Sequence, residues 1–203
     1  MIIDTYSLED GHSIESDICI VGSGLAGMTV AKEFLDTKLH ICLLEAGDIK
    51  PNRQSQLFHW GENISHPYYS LDTARPRCLG GSVNRWFLKA ADILFTAQMR
   101  PLDAIDFHKR DWVSDSGWPF QKSDLQPYYR RAQQLCGIEP PTFDIPQWSD
   151  TKDRPVLPFD DEYIQTVLFK FTSKSDFLEN HLKDIINASN IDTYINANVT
   201  DIV

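Results

Sequence analysis

Between residues 17 and 47 a short apolar run, a glycine-rich turn, an amphipathic stretch and a second apolar run follow one another, and few folds accommodate that order. Asp17-Ile18-Cys19-Ile20-Val21 is too short for a helix, rich in β-branched residues and closed by Gly22, so it reads as a buried parallel strand. Over residues 25–35, Met28, Ala31, Phe34 and Leu35 recur at three- and four-residue spacings and gather on one helical face. His40-Ile41-Cys42-Leu43-Leu44 is a second buried run, ending at Glu45-Ala46-Gly47. Strand, helix and strand within about 30 residues make a βαβ unit, whose crossover joins parallel strands.

The turn itself is Gly22-Ser23-Gly24-Leu25-Ala26-Gly27, set directly between the first strand and the helix. In that context each glycine has its own physical role. Gly22 permits the tight turn, Gly24 lets backbone approach a pyrophosphate, and Gly27 lets the helix pack closely on the strand. The helix start then presents unpaired N–H groups and the positive end of its dipole to the anion. Glu45 stands 18 residues beyond Gly27 at the end of the second strand. A carboxylate there accepts hydrogen bonds from a ribose diol and repels a 2′-phosphate, which favours FAD or NAD over NADP.

The rest of the composition narrows the partners. At 203 residues the chain buries a sizeable core, and its 42% hydrophobic and 24% charged residues are those of a globular protein. A net charge of −10 with no dense Lys/Arg run gives nucleic acid or anionic membrane no electrostatic foothold, which leaves a small-molecule partner. No stretch approaches the roughly 18 to 20 apolar residues of a membrane span, and the first residues, Met1-Ile2-Ile3-Asp4, lack the pattern of an export signal, so a cytoplasmic location is expected. Cys19, Cys42, Cys78 and Cys136 have no metal spacing, and Cys19 and Cys42 fall in strand-like runs where cysteine acts as a small buried hydrophobe. The six histidines likewise show neither metal spacing nor a nucleophile–base arrangement.

Beyond the βαβ unit, residues 48–147 read as a long irregular excursion rich in Pro and Gly, containing the turn Cys78-Leu79-Gly80-Gly81-Ser82. Within it, residues 123–137 carry a serine N-cap, an early Pro127, apolar residues at helical spacing and a terminal glycine, which predicts one helix. Trp112, Trp118, Tyr128 and Tyr129 are expected in the core. Residues 148–203 return to the first domain: 169–172 alternate like a strand, 176–186 have a helical apolar face, and 193–196 and 199–203 read as strand segments. The fold class is α/β, a Rossmann-like parallel sheet with a long excursion.

Several further stretches carry a specific resemblance. They are His66-Pro67-Tyr68-Tyr69, residues 75–86 around Gly80-Gly81-Ser82, Arg100-Pro101-Leu102-Asp103, Asp111-Trp112, Ser116-Gly117-Trp118-Pro119, Pro127-Tyr128-Tyr129 and Asn196-Ala197-Asn198-Val199. In their order, and together with residues 17–47, they resemble the N-terminal part of glucose-methanol-choline (GMC) family flavoprotein oxidoreductases, in the choline-dehydrogenase-like branch. The resemblance implies FAD as cofactor, held by Gly22, Ser23, Gly24, Gly27 and Glu45. It also implies a Gly80-Gly81 turn that passes beside the flavin, with hydrogen bonds from Ser82 and Asn84, and an adenine contact from the backbone of Val199. It departs from the family pattern at residues 87–99, where an apolar stretch intervenes that reads as an inserted helix or an irregularity of the frame. The family's activity, hydride transfer from an alcohol or sugar CH–OH to flavin, depends on late histidine or asparagine residues, so the expectation is an incomplete FAD-binding portion without its catalytic part. A catalytically silent nucleotide-binding module and an NAD-dependent Rossmann enzyme stand as the alternatives.

Overall fold

Because alternate residues of a strand face opposite sides of its sheet, the apolar runs dictate which strands become neighbours and which face is covered. A computed structural model describes residues 1–64, 66–85, 88–90, 93–95, 97–138, 143–145, 156–159, 163–172 and 177–203. The chain divides into one compact unit of Met1–Phe87 with Ser175–Val203 and a second of Leu88–Lys174. It runs through β1 (Ile2–Asp4), β2 (Ile18–Val21), α1 (Leu25–Lys32), β3 (Ile41–Leu44), α2 (Arg53–Gln56) and α3 (Leu71–Ala74) in the first unit. The second holds β4 (Leu88–Ala90), β5 (Ile93–Phe95), β6 (Ala97–Met99), α4 (Ala104–Phe107), α5 (Lys122–Leu135) and β7 (Lys170–Thr172). Helix α6 (Phe177–Asn187) and β8 (Ile191–Ile195) return to the first.

The first unit is a mixed α/β structure with a four-stranded parallel sheet, ordered β1-β8-β3-β2, as expected of a Rossmann-like architecture. Its register aligns Ile18 with Ile41 and Ile191, and Ile20 with Leu43 and Thr193. On that face Ile20, Ile41, Leu43 and Ile191 pack with Met28 and Ala31 of α1 and Ile185 of α6 into the buried core. Full burial of each large aliphatic side chain contributes roughly 1.5–3 kcal/mol, so this face anchors the unit. The two helices are also linked at their exposed side, where the Lys32 ammonium lies 2.5 Å from Asp184 and 2.9 Å from His181. Asn190 closes the layer: its side-chain amide donates to the carbonyls of Phe34 and Leu39 and ties the α1–β3 connection to the start of β8.

Several expectations shift. Helix α1 stops at Lys32, not at residue 35; Phe34 and Leu35 follow in three-residue turns yet still pack on the core. The strand expected at 193–196 begins at Ile191 and ends at Ile195, because Asn196 turns the backbone into the left-handed region (φ 57°). Residues 199–203 form no strand; among the described residues no strand pairs with them, and Ile202 and Val203 are exposed. The opening Ile2 and Ile3, too short to show periodicity, are recruited as β1 by the edge of β8. Cys42 is buried as expected, whereas Cys19 on β2 is exposed.

The second unit runs from Leu88 to Lys174, and residues 48–87 belong to the unit that contains the sheet. Of residues 87–99, the described ones are strands and not a helix: β4 and β5 pair antiparallel, Leu88 opposite Phe95 and Ala90 opposite Ile93, and β6 pairs antiparallel with β7. Phe87, Ala91, Asp92 and Thr96 lie outside the described residues, as do Trp86, Asp176 and much of the proline-rich stretch. Helix α5 starts at Lys122; its cap is Gln121, whose backbone N–H donates to Asp124 at 2.8 Å, and Ser123 falls inside the first turn. Gly137 ends it with a positive φ of 63°. Trp112, Trp118 and Tyr128 are not core residues; they stand 77%, 51% and 61% exposed. Among the described residues no helix is long and apolar enough to cross a membrane.

One surface contact makes the sheet's stability depend on pH. His40 Nε2 lies 2.9 Å from the Asp192 carboxylate of β8, which also lies 3.5 Å from the Met1 ammonium. That hydrogen bond raises the imidazole pKa above its usual 6.5, against an opposing desolvation and with help from the Glu15 carbonyl. A raised folded-state pKa means stability that is present in full below the unfolded value and lost as pH rises through the folded one. We therefore expect the melting temperature to fall as pH climbs through the region just above about 6.5, and His40→Gln to flatten that slope in a series of thermal melts.

Candidate functional site

The carboxyl ends of β2 and β3 bring together most of the residues singled out from the sequence. Gly22 leaves β2 with φ 94°, a conformation that an L side chain resists, while its N–H still donates to the Leu44 carbonyl at 2.7 Å. Gly27 is required for another reason: a Cβ on it would sit 1.9 Å from the Gly22 carbonyl oxygen, so the first turn of α1 lies directly on the strand end. Gly24 has neither constraint. It caps α1 with ordinary extended backbone (φ −64°, ψ −179°), and a Cβ built there meets nothing within 4 Å. The space beside Gly24 is open, and no packing among the described residues demands glycine at that position.

Helix α1 opens its hydrogen-bond ladder with Met28 N–H donating to Gly24 O at 2.9 Å. The N–H groups of Leu25, Ala26 and Gly27 precede it and have no acceptor among the described residues. They add to a helix-end field of about +0.5 charge, the arrangement that suits a phosphate.

Glu45 is 7% exposed and its carboxylate is bound inward. Oε2 accepts from the Ser23 backbone N–H at 3.1 Å and from the Ser23 hydroxyl at 2.5 Å, and Oε1 accepts from Gly47 N–H at 2.8 Å. A carboxylate offers about four lone-pair sites, so one, on Oε1, remains for a hydroxyl donor from outside. Two such donors fit only if the Ser23 hydroxyl turns away. Ser23 itself is fully buried.

The second glycine turn lies against the first. Gly80 N–H donates to Ser23 Oγ at 3.1 Å, and a Cβ on Gly81 would come within 3.2 Å of Gly24 Cα. Both Gly80 (φ 87°) and Gly81 (φ 53°) have left-handed backbone. Asn84 braces the turn, its amide donating to the carbonyls of Leu79 at 3.0 Å and Gly81 at 2.9 Å, with Cys78 Sγ 3.4 Å away. Its donors are therefore committed within the protein, while Ser82 is exposed. Val199 lies two residues beyond Ala197, whose N–H donates to the Glu45 carbonyl at 2.8 Å, and is 37% exposed.

Sequence reasoning passed over Gly47 and Cys78. A Cβ on Gly47 would lie 2.2 Å from the Arg77 carbonyl oxygen, and Leu79 N–H donates to Asp48 O at 2.9 Å, so this close approach stitches the second turn to the end of β3. Cys78 is buried there; burial, then the nearby Glu45 charge, push its thiol up to about 11 against the pull of Arg85, and it stays neutral. The signal available was the glycine two residues past the acid, at a strand end where glycine often marks close backbone approach. Among the described residues no group of His, Cys, Asp and Glu could hold a metal ion. In the second unit a cleft of about 460 Å³ is lined by Arg100, Asp103, Lys122, Phe143 and Val167, but its Arg100 is already paired with Asp103 at 2.6 Å.

Compared with known proteins, the chain matches no family model and no curated protein.

The two turn glycines differ in what they do for the fold, and this separates their variants. Gly27→Ala forces backbone apart and should lower unfolding free energy by roughly 2 kcal/mol or more, whereas Gly24→Ala should cost less than about 1 kcal/mol. Urea denaturation of both variants checks the order; equal losses would contradict the role assigned to Gly27.

Proposed function

We propose that the crevice at the ends of β2 and β3 binds the ADP half of FAD, and that the chain is the FAD-binding portion of a GMC-type oxidoreductase acting on CH–OH groups of alcohols or sugars. The observation that carries this reading is the open space at Gly24 beside three N–H groups of α1 that have no acceptor among the described residues. Backbone conformation accounts for Gly22 and packing for Gly27, whereas the glycine at Gly24 has its account in a ligand whose diphosphate must approach bare backbone. The residues present fit that group: no described side chain fills the space, the helix end favours an anion, and Glu45 retains one acceptor site for a ribose hydroxyl.

In this reading the amides of Leu25, Ala26 and Gly27 bind the diphosphate, Gly24 admits it, and Glu45 accepts from the adenosine ribose and repels a 2′-phosphate. The turn of Gly80 and Gly81, with Ser82, Asn84 and Val199, is assigned to FAD through the family resemblance. Asn84 acts by bracing the turn, since its amide donors are already used. When bound, the flavin supplies the hydride acceptor, and the protein contributes orientation and electrostatics. The ADP half is common to FAD and NAD, so the neighbouring Gly80–Gly81 turn and the ordered resemblance are what favour FAD.

Titration of the chain with FAD, followed by flavin fluorescence, and with NAD, followed by calorimetry, tests the proposal. FAD should bind more tightly than NAD, and Gly24→Ala should weaken FAD by about tenfold or more (1.4 kcal/mol) with little change in melting temperature. Tighter binding of NAD would move the reading to a nicotinamide enzyme; binding of neither would end it.

A further inference from the structure

Resting on the dinucleotide reading, the geometry points to Ser23 as a buried positioning residue that locks the second glycine turn to the adenosine-binding turn, and so makes the crevice selective for a dinucleotide long enough to use both. The side chain of Ser23 has no exposed surface, so its hydroxyl works on protein groups and not on a ligand. Its Oγ–H donates to Glu45 Oε2 at 2.5 Å, and the same oxygen accepts from Gly80 N–H at 3.1 Å. One atom therefore joins the carboxylate assigned to the ribose with the backbone of the turn assigned to the far half of the ligand.

The two turns do not depend on this hydroxyl equally. The first keeps its shape without it: Gly22 N–H is held by Leu44 O, Gly27 rests on Gly22, and the Ser23 backbone N–H retains its own bond to Glu45 Oε2. The second turn is set against the first by the Gly80–Ser23 bond and by the backbone approach of Gly81 to Gly24. From its other side the turn is braced by Asn84, through the carbonyls of Leu79 and Gly81, and Leu178 of α6 lies over Gly80. Removal of the hydroxyl leaves the Gly80 N–H buried without its partner, a situation that favours displacement of the turn. A ligand confined to the α1 end and Glu45 is indifferent to that displacement, whereas one that continues past Gly80 and Gly81 is not.

The test compares ADP, which ends at the diphosphate, with FAD, which continues beyond it, by calorimetric titration of the unsubstituted chain and of Ser23→Ala, Asn84→Ala and Glu45→Gln, each first checked by thermal melting. Ser23→Ala should weaken FAD by about tenfold or more while ADP changes by no more than about twofold. Asn84→Ala loosens the same turn without touching Glu45 and should reproduce that split; should Ser23→Ala fail to fold, this variant decides by the same criterion. Glu45→Gln should weaken both ligands together. Equal weakening of ADP and FAD in Ser23→Ala, or no weakening of either, overturns the locking role and leaves the dinucleotide reading intact. If the unsubstituted chain binds neither ligand, the dinucleotide reading fails and the role of Ser23 fails with it.

Discussion

A single buried carboxylate organises the strand ends of the first unit. Burying an ionised group costs several kcal/mol unless hydrogen bonds replace its water, and Glu45 receives three, from two groups of Ser23 and from Gly47 N–H. Bonds to a charged acceptor are roughly twice as strong as neutral ones, so the geometry of these segments is held tightly. Through Ser23 the carboxylate reaches the first turn, through Gly47 its own strand end, and through the Ser23 hydroxyl the second turn at Gly80. The neighbouring Cys78 thiol, kept neutral by burial and by this same charge, adds no second anion. The crevice thus holds the Glu45 carboxylate at one end and the positive end of α1 beside Gly24 at the other, a polarity that offers an acceptor to hydroxyl donors at the first and favours an anion at the second.

What the sequence disclosed about this unit follows from how local its causes are. Gly22 and Gly27 could be given structural roles because a strand, a tight turn and a helix within a few residues leave no other way to pack, and Gly27 does lie against the Gly22 carbonyl. The apolar runs of β2 and β3 and the apolar faces of α1 and α6 were equally plain, the first from their length and bounding glycines, the second from their helical period. The bonds of Glu45 were not. An acidic residue at a strand end predicts a carboxylate near the turn, but whether it faces solvent or Ser23 depends on a hydroxyl 22 residues away and on a turn 57 residues beyond that hydroxyl. β1 escaped notice for a similar reason: two isoleucines carry no periodicity, and only pairing with Thr193 and Tyr194 makes them a strand.

The second unit was less legible because its order comes from contacts distant in sequence. β6 pairs with β7, so Ala97 lies opposite Thr172 across a long intervening stretch, and nothing local in either run specifies that partner. The aromatic residues follow the same logic. Phe107 is buried, while Trp118 and Phe120 gather over it with ring centres 6.0 and 6.2 Å away; Trp118 keeps half its surface exposed. An aromatic side chain is large enough to cover a neighbour without being covered itself, so membership in a cluster does not imply burial.

Strand β2 is where local pattern and position disagree. Its residues Ile18, Cys19, Ile20 and Val21 are apolar on both faces, the composition of a parallel strand covered on both sides. Yet β2 forms one edge of the sheet, with Cys19 exposed and Val21 60% exposed, while Ile20 on the opposite face is buried under α1. A single row of residues therefore meets core on one side and open surface on the other, directly below the turn that begins at Gly22. Local and global preferences agree almost everywhere else in this sheet, and such agreement is what selects a single fold. Their conflict in β2 sits on the strand that ends in the candidate crevice, which is where a protein whose remaining strands are internally consistent is expected to carry function at the expense of its own stability.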